Sequence, residues 1–537
     1  MQEESSLSER DRRNLLILAA ATVVVRAVFT VLRKIDSDEP QHLHVAWAWT
    51  KGLVQYRDVF DNHLPLLHML FAPVMPLAPE SSGVFLFMRA AIAPFAIACA
   101  YLFYLLVKPF YGTRIAAVAA LTFSVSHPWL PKSVEFRNDT LWMFFWLAAL
   151  ALFVRNRHFA AGVMMALSFL ASIKTAPIVL AHALAFATQR RGGLRRPGRG
   201  PGPADRPSLR DARANEDTAS RRPGLSDGSG PVGPAAGGPF VIPFILGGAL
   251  PGALLTIALL ALGAFDDMLY QTLFFNASAP VESWRRPAGV ICFIVVGSAI
   301  FRFGRRAAHL TLFALWYISL LLAFWPILTP RDFLPVMPIL VLSIILKVRT
   351  LVIAPVVIAT ILSVIDARLW RPRENERERF VDAVVSVAAP GDYVLDLKGD
   401  AVFRRRPVMA IYEDVGRALT ATGKLADEGP ERIVATGACV AIRDTSHLPP
   451  RTRDFLERHF LDDPLMRVCG TRVTGETFEI GVPQTYAVVA RDPSHVRIDG
   501  IPYRAPRRLE AGPHTMDRGG NESVLVLWSP AAAKEQQ

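Results

Sequence analysis

Eleven apolar stretches separate the polar segments of the first 370 residues, and this pattern limits the chain to few folds. A helix needs about 20 apolar residues to cross a bilayer, and most of these stretches reach or approach that length. An apolar content of 52% excludes a disordered protein, and 4 Cys in 537 residues exclude a disulfide-rich secreted fold. We therefore predict a multi-span α-helical membrane protein with about 11 spans, at 14–32, 84–107, 113–130, 140–154, 158–173, 176–188, 240–263, 288–301, 309–326, 333–346 and 351–366.

Lys and Arg in short loops predict the orientation of these spans, because cytoplasmic loops carry an excess of both. With eleven spans, the basic connections all fall on the side of the N-terminus: 108–114, 155–158, 190–239, 302–309 and 347–350. The N-terminus is therefore predicted in the cytoplasm and the chain after residue 366 outside it. Segment 190–239 is rich in Pro, Gly and Arg and is predicted to be a disordered cytoplasmic linker rather than a nucleic-acid-binding region.

The net charge of +12 belongs to the apolar part of the chain. Residues 371–537 carry 24 Lys and Arg against 25 Asp and Glu, a composition typical of a soluble domain. We predict a transmembrane domain over 1–366 and an extracytoplasmic domain of two subdomains, an α/β unit over 371–463 and a β-rich unit over 464–537. Cys439 and Cys469 lie on predicted strands outside the cytoplasm, where a disulfide can form if they are close.

Within the α/β subdomain, Tyr393–Leu397 and Arg432–Arg443 are predicted strands, and Asp414–Asp427 and Thr452–Phe460 are predicted helices. In the second subdomain, the strand-rich stretch 496–528 resembles the small β-sandwich modules called PEGA-like. Such modules bind or brace, so the resemblance implies no second active site there.

Acidic residues are segregated in the predicted topology. Apart from the N-terminal tail and the linker, every Asp and Glu of the first 370 residues falls on or near the outer face. The rule for Lys and Arg does not explain this distribution, which indicates a polar working surface at the helix ends. These residues are Asp36, Asp38, Glu39, Asp58, Asp61, Glu80, Glu135, Asp139, Asp266, Asp267, Glu282, Asp332 and Asp366.

The first outer loop holds the densest cluster of polar residues. Asp38 and Glu39 precede Pro40, and the spacing after them predicts a helix lying along the membrane surface, with Trp47 and Trp49 at the interface. One acid would be enough to cap this helix, whereas the loop carries three acids in four residues, close to two histidines. A second cluster, Asp58, Asp61, Asn62 and His63, precedes the next apolar region.

Four segments of this sequence together resemble the GT-C glycosyltransferases, in the branch of the protein O-mannosyltransferases and lipid A aminoarabinose transferases. A first outer loop opens with Asp38-Glu39 just after span one and ends with Leu64-Pro65 before the next apolar region. Three further matching stretches are Glu135-Phe-Arg-Asn-Asp139, Ser172-Ile-Lys174-Thr-Ala-Pro177 and Pro326-Ile-Leu-Thr-Pro-Arg331-Asp-Phe-Leu-Pro-Val-Met-Pro338. The resemblance covers roughly 13–366 and implies transfer of a sugar from a polyprenyl phosphate.

This resemblance implies that Asp38 is the catalytic carboxylate, with Glu39 as the second catalytic candidate. A general base must take the proton of the acceptor hydroxyl, and cations must stabilise the charge that develops on the phosphate. Lys174, Arg331 and Arg137, all at predicted outer ends of spans, are the candidates for binding the donor phosphate. The remaining predicted pocket residues are Asp61, His63, Glu135 and Asp139.

Each of these residues also has a simpler interpretation. Arg137 is close enough in sequence to pair with Glu135 or Asp139, and Lys174 could anchor a helix end at the membrane surface. Glu39 could cap the loop helix or bind a metal. Asp38, Glu39, His42, His44 and His63 supply donor atoms for a divalent metal, but no spacing is diagnostic of one, so we predict a reaction that requires no cofactor.

The function that these observations favour is an extracytoplasmic glycosyltransferase of the bacterial inner membrane and cell envelope. Its donor would be a polyprenyl-phosphate sugar, and its acceptor a hydroxyl of a lipid, glycan or protein. Membrane lipids are expected partners and nucleic acid is not. A transporter or flippase of lipid-linked sugar is the alternative, and a non-enzymatic envelope scaffold is the third. Ionisable residues of transporters more often lie at mid-membrane, whereas those of this sequence cluster in loops.

Reporter fusions test the predicted topology. A reporter that is active only outside the cytoplasm should be inactive after Phe110 and Gly230 and active after Ala401, because the basic loops face the cytoplasm. Activity of the Gly230 fusion would show that the number of spans is wrong, and the argument from the acidic residues would then fail as well.

Overall fold

Apolar helices make up most of the first 370 residues. Of the predicted linker, residues 190–193 end a helix, and 194–239 lie outside the described residues. The computed structural model describes residues 7–193, 241–279, 285–303, 308–325, 328–370 and 375–530.

The helices of this part follow one another with short connections. Two short 3-10 segments, Met75–Leu77 and Pro330–Val336, and a π-helical turn, Tyr270–Phe274, lie between them. In chain order the helices are α1 (Glu9–Leu32), α2 (Asp38–Thr50), α3 (Leu66–Phe71), α4 (Gly83–Val125), α5 (Trp129–Ser133), α6 (Asn138–Val154), α7 (His158–Ala171), α8 (Thr175–Gly193), α9 (Val241–Ala261), α10 (Phe265–Leu269), α11 (Phe275–Ala277), α12 (Arg285–Phe303), α13 (His309–Phe324), α14 (Met337–Lys347) and α15 (Ala354–Ala367).

Each of the eleven predicted apolar stretches overlaps a helix. This is expected because backbone N–H and C=O groups inside a bilayer have no water to bond with and must form hydrogen bonds within the segment. Stretch 84–107 and most of 113–130 fall within α4, which is interrupted at Gly112, where φ is 79°; the end of the second stretch reaches α5. In the described part of the chain, α1, α4 and α9 are long and apolar enough to cross a membrane, and six other apolar helices are shorter. The helical architecture is thus confirmed, while the number of spans and their orientation stay predictions.

Helix α2 is more deeply buried than the sequence predicted. Its residues from Glu39 to Ala48 are buried, and the side chain of Trp47 is only 5% exposed. The α2 helix contacts α3 and the Met75–Leu77 turn, and His44 Nδ1 donates a hydrogen bond to the backbone carbonyl of Val402 in the C-terminal domain (2.9 Å). The prediction that Trp47 lies at the membrane surface was therefore wrong, because the protein itself covers this helix.

The C-terminal domain, residues 375–530, combines four helices with two sheets. Its helices are α16 (Glu376–Val387), α17 (Asp414–Ala421), α18 (Gly429–Thr436) and α19 (Pro450–His459). Its strands are β1 (Val394–Leu395), β2 (Val440–Ile442), β3 (Phe460–Asp462), β4 (Met466–Val473), β5 (Thr477–Ile480), β6 (Gln484–Val489), β7 (Arg497–Ile498), β8 (Ile501–Pro502), β9 (Arg507–Leu509), β10 (Gly512–Asp517) and β11 (Val524–Trp528).

Strands from both halves of this domain share one sheet. The larger sheet has the order β1-β2-β4-β11-β6-β9, with β3 also paired to β4, and the smaller has the order β5-β10-β7-β8. Only β1 and β2 pair in parallel; the other pairs described are antiparallel. Strand β4 therefore joins the segments predicted as separate subdomains, 371–463 and 464–537, through its pairing with β2 and β3.

The predicted strand Arg432–Arg443 was wrong in its first half. Helix α18 occupies Gly429–Thr436, and strand β2 begins only at Val440. Two signals of a short helix were present in the sequence: Pro430 in its first turn, and Gly437 after its end in the left-handed conformation (φ 67°). The run of Ile, Val and Ala between them is compatible with either element, so the flanking residues decide.

The C-terminal domain is held together by a disulfide and docked by polar contacts. Cys439, directly before β2, is bonded to Cys469 on β4, with their Cα atoms 4.8 Å apart. Arg404 contacts Glu80 at 2.6 Å, and the backbone and hydroxyl of Ser82 both donate hydrogen bonds to Asp382 at 2.7 Å. These contacts place the domain over the start of α4, next to the loop that contains α2.

Candidate active site

A cavity of ≈1070 Å³ lies between the ends of the helices and the C-terminal domain. Its wall contains residues from α2, from the loop before α3, from the turn before α8 and from the 3-10 segment Pro330–Val336. The C-terminal domain contributes Ile411 to Val415. Four predicted site residues line this cavity although they are separated in the sequence: Asp38, His63, Lys174 and Arg331. The structure therefore brings one predicted catalytic residue and two predicted phosphate ligands to one space.

Three cations hold the carboxylate of Asp38. Arg137 approaches its Oδ2 at 2.5 Å, Arg331 contacts the same oxygen at 3.1 Å, and Lys398 contacts Oδ1 at 2.7 Å. Burial alone would raise the pKa of Asp38, but attraction to Arg137 and Lys398 outweighs it and lowers the pKa well below its usual range. Asp38 is therefore an ionised carboxylate with both oxygens engaged.

Arg137 connects this carboxylate to its neighbours. It immediately precedes α6 in an extended conformation, and its guanidinium also contacts Asp36 and, at 3.4 Å, Asp139. Its side chain is 4% exposed. Both Coulombic attraction to Arg137 and pairing with Lys132 lower the pKa of Asp36, against the opposing effect of burial, to about 2. The interpretation of Arg137 as an ion-pair residue thus holds in the free protein, with more carboxylates than the sequence suggested.

Glu39 is next to Asp38 but lies in a different environment. Its side chain is fully buried and forms two hydrogen bonds with Arg89, Nε to Oε2 at 2.7 Å and Nη2 to Oε1 at 2.5 Å. The backbone N–H groups of Asp36 and Phe136 donate to the same carboxylate at 2.9 and 3.1 Å. Glu39 does not line the cavity. It joins α2, α4 and the loop before α6, and this position fits a scaffold better than a catalytic group.

Lys174 and Arg331 both line the cavity but have different partners. Lys174 Nζ contacts Asp332 at 2.9 Å and Asp139 at 3.5 Å, and it lies 5.5 Å from the centre of the Trp142 ring. Asp332 in turn accepts hydrogen bonds from the backbone and hydroxyl of Thr329, which fixes the start of the 3-10 segment. Lys174 is therefore part of a built ion-pair network and not simply an anchor that reaches for the membrane surface.

Glu135 and Asp139 form ion pairs with cations close to the cavity. Glu135 is fully buried and contacts Lys132 at 3.0 Å and Arg33 at 3.1 Å. Asp139 lies between Arg137 and Lys174, as given above. Neither lines the cavity. Both keep positive side chains in place close to the cavity.

Asp61 and His63 form a separate pair on the cavity wall. His63 Nδ1 is 2.8 Å from Asp61 Oδ1, and Gln55 and Gln41 donate to the two oxygens of Asp61 at 2.8 and 3.1 Å. Asp61 is fully buried, whereas the His63 side chain is 25% exposed and lines the cavity. The sequence predicted both in the pocket; Asp61 does not line the cavity, whereas its partners His63 and Gln41 do.

The C-terminal domain supplies two residues that the sequence did not single out. Lys398 lies in the loop after β1 and bridges Asp38 to Glu413 (2.6 Å), which lines the cavity. The next residue, Gly399, has φ 109°, and a Cβ there would come within 2.7 Å of His44. A glycine is therefore needed for this loop to approach α2. Ligand residues often follow parallel strands, and Lys398 directly follows the predicted strand Tyr393–Leu397, which contains β1; this position was the signal available in the sequence.

The histidines of α2 do not gather a metal site. His44 is bonded to Val402, and His42 Nδ1 lies 2.9 Å from His68 Nε2. Burial lowers the pKa of His44 and of His68 to about 4, so both are neutral near pH 7. Among the residues that the structure describes, no three His, Cys, Asp or Glu side chains are placed to hold a metal ion.

Comparison with solved structures identifies the fold. The chain superposes on ArnT from Cupriavidus metallidurans bound to undecaprenyl phosphate with a TM-score of 0.54 at 12% sequence identity, covering 84% of this chain and 97% of that one. The apo state of the same protein gives a TM-score of 0.52, again at 12% identity, covering 84% and 96%. The chain has the GT-C fold.

The resemblance found in the sequence is thereby confirmed at the level of the fold. No protein-family model matches the sequence, and no curated protein matches it. At this identity the GT-C similarity establishes the arrangement of the helices and the C-terminal sheet domain. The roles of individual residues depend on the geometry described above.

The contrast between Asp38 and Glu39 gives a stability prediction. Glu39→Gln should lower the unfolding temperature strongly, because it leaves Arg89 buried without its carboxylate, a change that costs about 3–5 kcal/mol. Asp38→Asn should be milder, because Arg137 keeps its pairs with Asp36 and Asp139, and Lys398 keeps its pair with Glu413. Thermal unfolding of the detergent-solubilised protein measures both.

A matched control is Glu431→Gln, which removes a carboxylate from an exposed pair with Arg451 and should unfold like the wild type. Equal unfolding temperatures for Glu39→Gln and this control would contradict the scaffold role of Glu39.

Proposed function

We propose that this protein is a membrane glycosyltransferase that moves a sugar from a polyprenyl-phosphate donor to an acceptor hydroxyl. The observation that carries the proposal is one cavity in a GT-C fold, lined by Asp38 together with Arg331 and Lys174. A cavity of this kind has the two parts that the reaction needs, a carboxylate and cations for a phosphate. The ArnT neighbour bound to undecaprenyl phosphate supports a donor linked to a polyprenyl phosphate.

The cations around Asp38 fit the donor side of this reaction. Arg331 is 27% exposed and holds Asp38 by a single contact, so a phosphate can replace Asp38 as its partner. Arginine matches phosphate with two parallel hydrogen bonds, whereas lysine acts as a point charge. In this proposal Arg331, Lys174 and Arg137 stabilise the phosphate, and Lys398 of the C-terminal domain assists them.

Asp38 remains the catalytic carboxylate of the proposal. In the free protein its cations make it a weak base, since both oxygens already accept hydrogen bonds or ion pairs. A donor phosphate competes for these cations and so leaves Asp38 freer to act on the acceptor. Glu39 holds the helix that presents Asp38, and Asp139 and Glu135 hold the cations.

The proposal also includes the cellular location of the cavity, the cofactor requirement and the partners. The cavity would open on the outer face of a bacterial inner membrane, where nucleotide sugars do not occur and lipid-linked sugars replace them. The reaction would run without a metal cofactor, with membrane lipids and the donor as the partners. A transporter of lipid-linked sugar is the outcome that the transfer assay must separate from this proposal.

The first test is transfer in membranes supplied with several polyprenyl-phosphate sugars. The wild type should yield a glycosylated product with at least one donor. Asp38→Asn should reduce the rate by about 10²–10⁴-fold while donor binding persists, because the charge at the reacting centre is lost and the shape is kept. Asp267→Asn, an exposed residue away from the cavity, is the control and should transfer like the wild type.

Near-normal transfer by Asp38→Asn would remove Asp38 from the site. Movement of a lipid-linked sugar across the vesicle membrane, without formation of a glycosylated product, would instead favour the transporter.

The second test concerns the phosphate ligands. Arg331→Met and Lys174→Met should each weaken binding of undecaprenyl phosphate by about 10–100-fold, the usual value of a hydrogen bond to a charged group. The double change should cost less than the sum, because both cations act on one phosphate. Binding to purified protein measures this, with Arg57→Met, an exposed arginine paired with Asp58, as the control. Strictly additive losses, or none, would contradict a shared phosphate.

A further inference from the structure

The Asp61–His63 pair is built like an oriented base. The carboxylate of Asp61 is fully buried and accepts four hydrogen bonds: His63 Nδ1 at 2.8 Å, His63 N–H at 3.1 Å, Gln55 Nε2 at 2.8 Å and Gln41 Nε2 at 3.1 Å. Because an ionised carboxylate only accepts, it holds the proton of His63 on Nδ1. The other ring nitrogen, Nε2, then carries a lone pair, and no described residue forms a hydrogen bond with it.

The position of His63 connects this pair to the proposed reaction. His63 lines the same cavity as Asp38, Lys174 and Arg331, and it interacts electrostatically with Asp38. A hydroxyl bound in this cavity can therefore meet His63 and the donor sugar together. Asp61 cannot contact such a hydroxyl itself, because its side chain is fully buried.

Several charged and titratable groups surround His63. Its ring lies 4.6 Å from that of His42, which stacks on His68 at 5.1 Å. Burial lowers the pKa of both His42 and His68, so they stay neutral near pH 7. Two carboxylates face His63: Asp61 at 2.8 Å from its Nδ1, and Asp38, with which it interacts electrostatically. Arg137 is the nearby cation, and its charge contributes to lowering the pKa of His42. Arg137 is itself paired with the carboxylates of Asp36, Asp38 and Asp139.

A second histidine–aspartate pair borders the cavity and lacks these features. His127 Nδ1 lies 3.1 Å from Asp366 Oδ2, but the contact does not have hydrogen-bond geometry. Asp366 is 49% exposed and is free to turn toward solvent. Of these two pairs, only Asp61–His63 combines a buried, fully hydrogen-bonded carboxylate with a histidine on the cavity wall.

We propose that His63, oriented by Asp61, accepts the proton of the acceptor hydroxyl. This inference rests on the proposed transfer and moves one step of it from Asp38 to His63. The acceptor oxygen forms a bond to the anomeric carbon as the bond from that carbon to the phosphate oxygen breaks. The electron pair of the broken bond leaves with the polyprenyl phosphate, and the hydroxyl proton passes to His63 Nε2. Asp38 stays with the cations that receive the phosphate.

The pH dependence of transfer separates the two bases. Histidine ordinarily changes charge between about pH 5 and 8, so the wild-type rate should fall on acidification with a midpoint in that range. Asp38 stays ionised throughout it, because its cations lower its pKa, and would give no such fall. His63→Gln should reduce the rate about 10²–10⁴-fold at pH 7.5, abolish the acidic fall and leave undecaprenyl phosphate binding unchanged.

Further variants keep the test independent of folding. Imidazole should restore part of the transfer by His63→Gly, because it can occupy the space of the lost ring. Asp61→Asn should shift the midpoint and lower the rate, with a milder loss than His63→Gln. His127→Gln, which changes the rival pair, should keep the acidic fall of the wild type.

Two failures are distinguishable. Absence of transfer by the wild type with every donor overturns the proposed function itself. Transfer by the wild type with an unchanged pH profile in His63→Gln, or loss of the acidic fall in His127→Gln instead, overturns only the assignment of the base to His63.

Discussion

The carboxylate of Asp38 contacts cations from three segments that are distant in sequence, and the candidate site depends on this arrangement. Arg137 precedes α6, Arg331 lies in the 3-10 segment before α14, and Lys398 belongs to the C-terminal domain. Charges placed near apolar helices are costly unless they are paired. The single carboxylate therefore fixes where all three segments meet and keeps three cations beside one cavity.

The same network gives the C-terminal domain a role in the site. Lys398 reaches Asp38 because the loop after β1 packs on α2 at Gly399 and is hydrogen-bonded to His44 through Val402. Lys398 also pairs with Glu413, which lines the cavity. A domain that merely braced the membrane helices would not need a buried lysine shared by two carboxylates. Its contacts with Glu80 and Ser82 hold the loop in position. The cavity is thus formed by both domains.

Neighbouring acids in one motif take different roles through their surroundings. Asp38 and Glu39 are adjacent at the start of α2, so helix geometry directs their side chains to different sides. One meets the cavity and its cations, and the other meets Arg89 inside the protein. A similar division separates His63, on the cavity wall, from His42 and His68, whose burial keeps them neutral. Sequence proximity alone could not distinguish these roles.

The sequence by itself determined the helical membrane architecture, the GT-C resemblance and the polar segments that surround the site. Apolar length and spacing are local properties, so the eleven stretches could be found, and each overlaps a helix of the structure. Asp38, His63, Lys174 and Arg331 could be singled out because polar residues at the ends of apolar helices are conspicuous. The predicted strand over Arg432–Arg443 failed because a short run of Ile, Val and Ala suits helix and strand alike.

Only the tertiary structure decided the partners of these residues. Lys398 joins Asp38 across 360 positions of sequence, and Arg331 across 293, distances over which no local pattern carries information. The roles of Glu39 and Asp61 as buried, fully bonded carboxylates depend on Arg89, Gln41 and Gln55, which a sequence does not mark. Electrostatic environment is set by burial and by contacts within a few ångströms, and folding alone creates both.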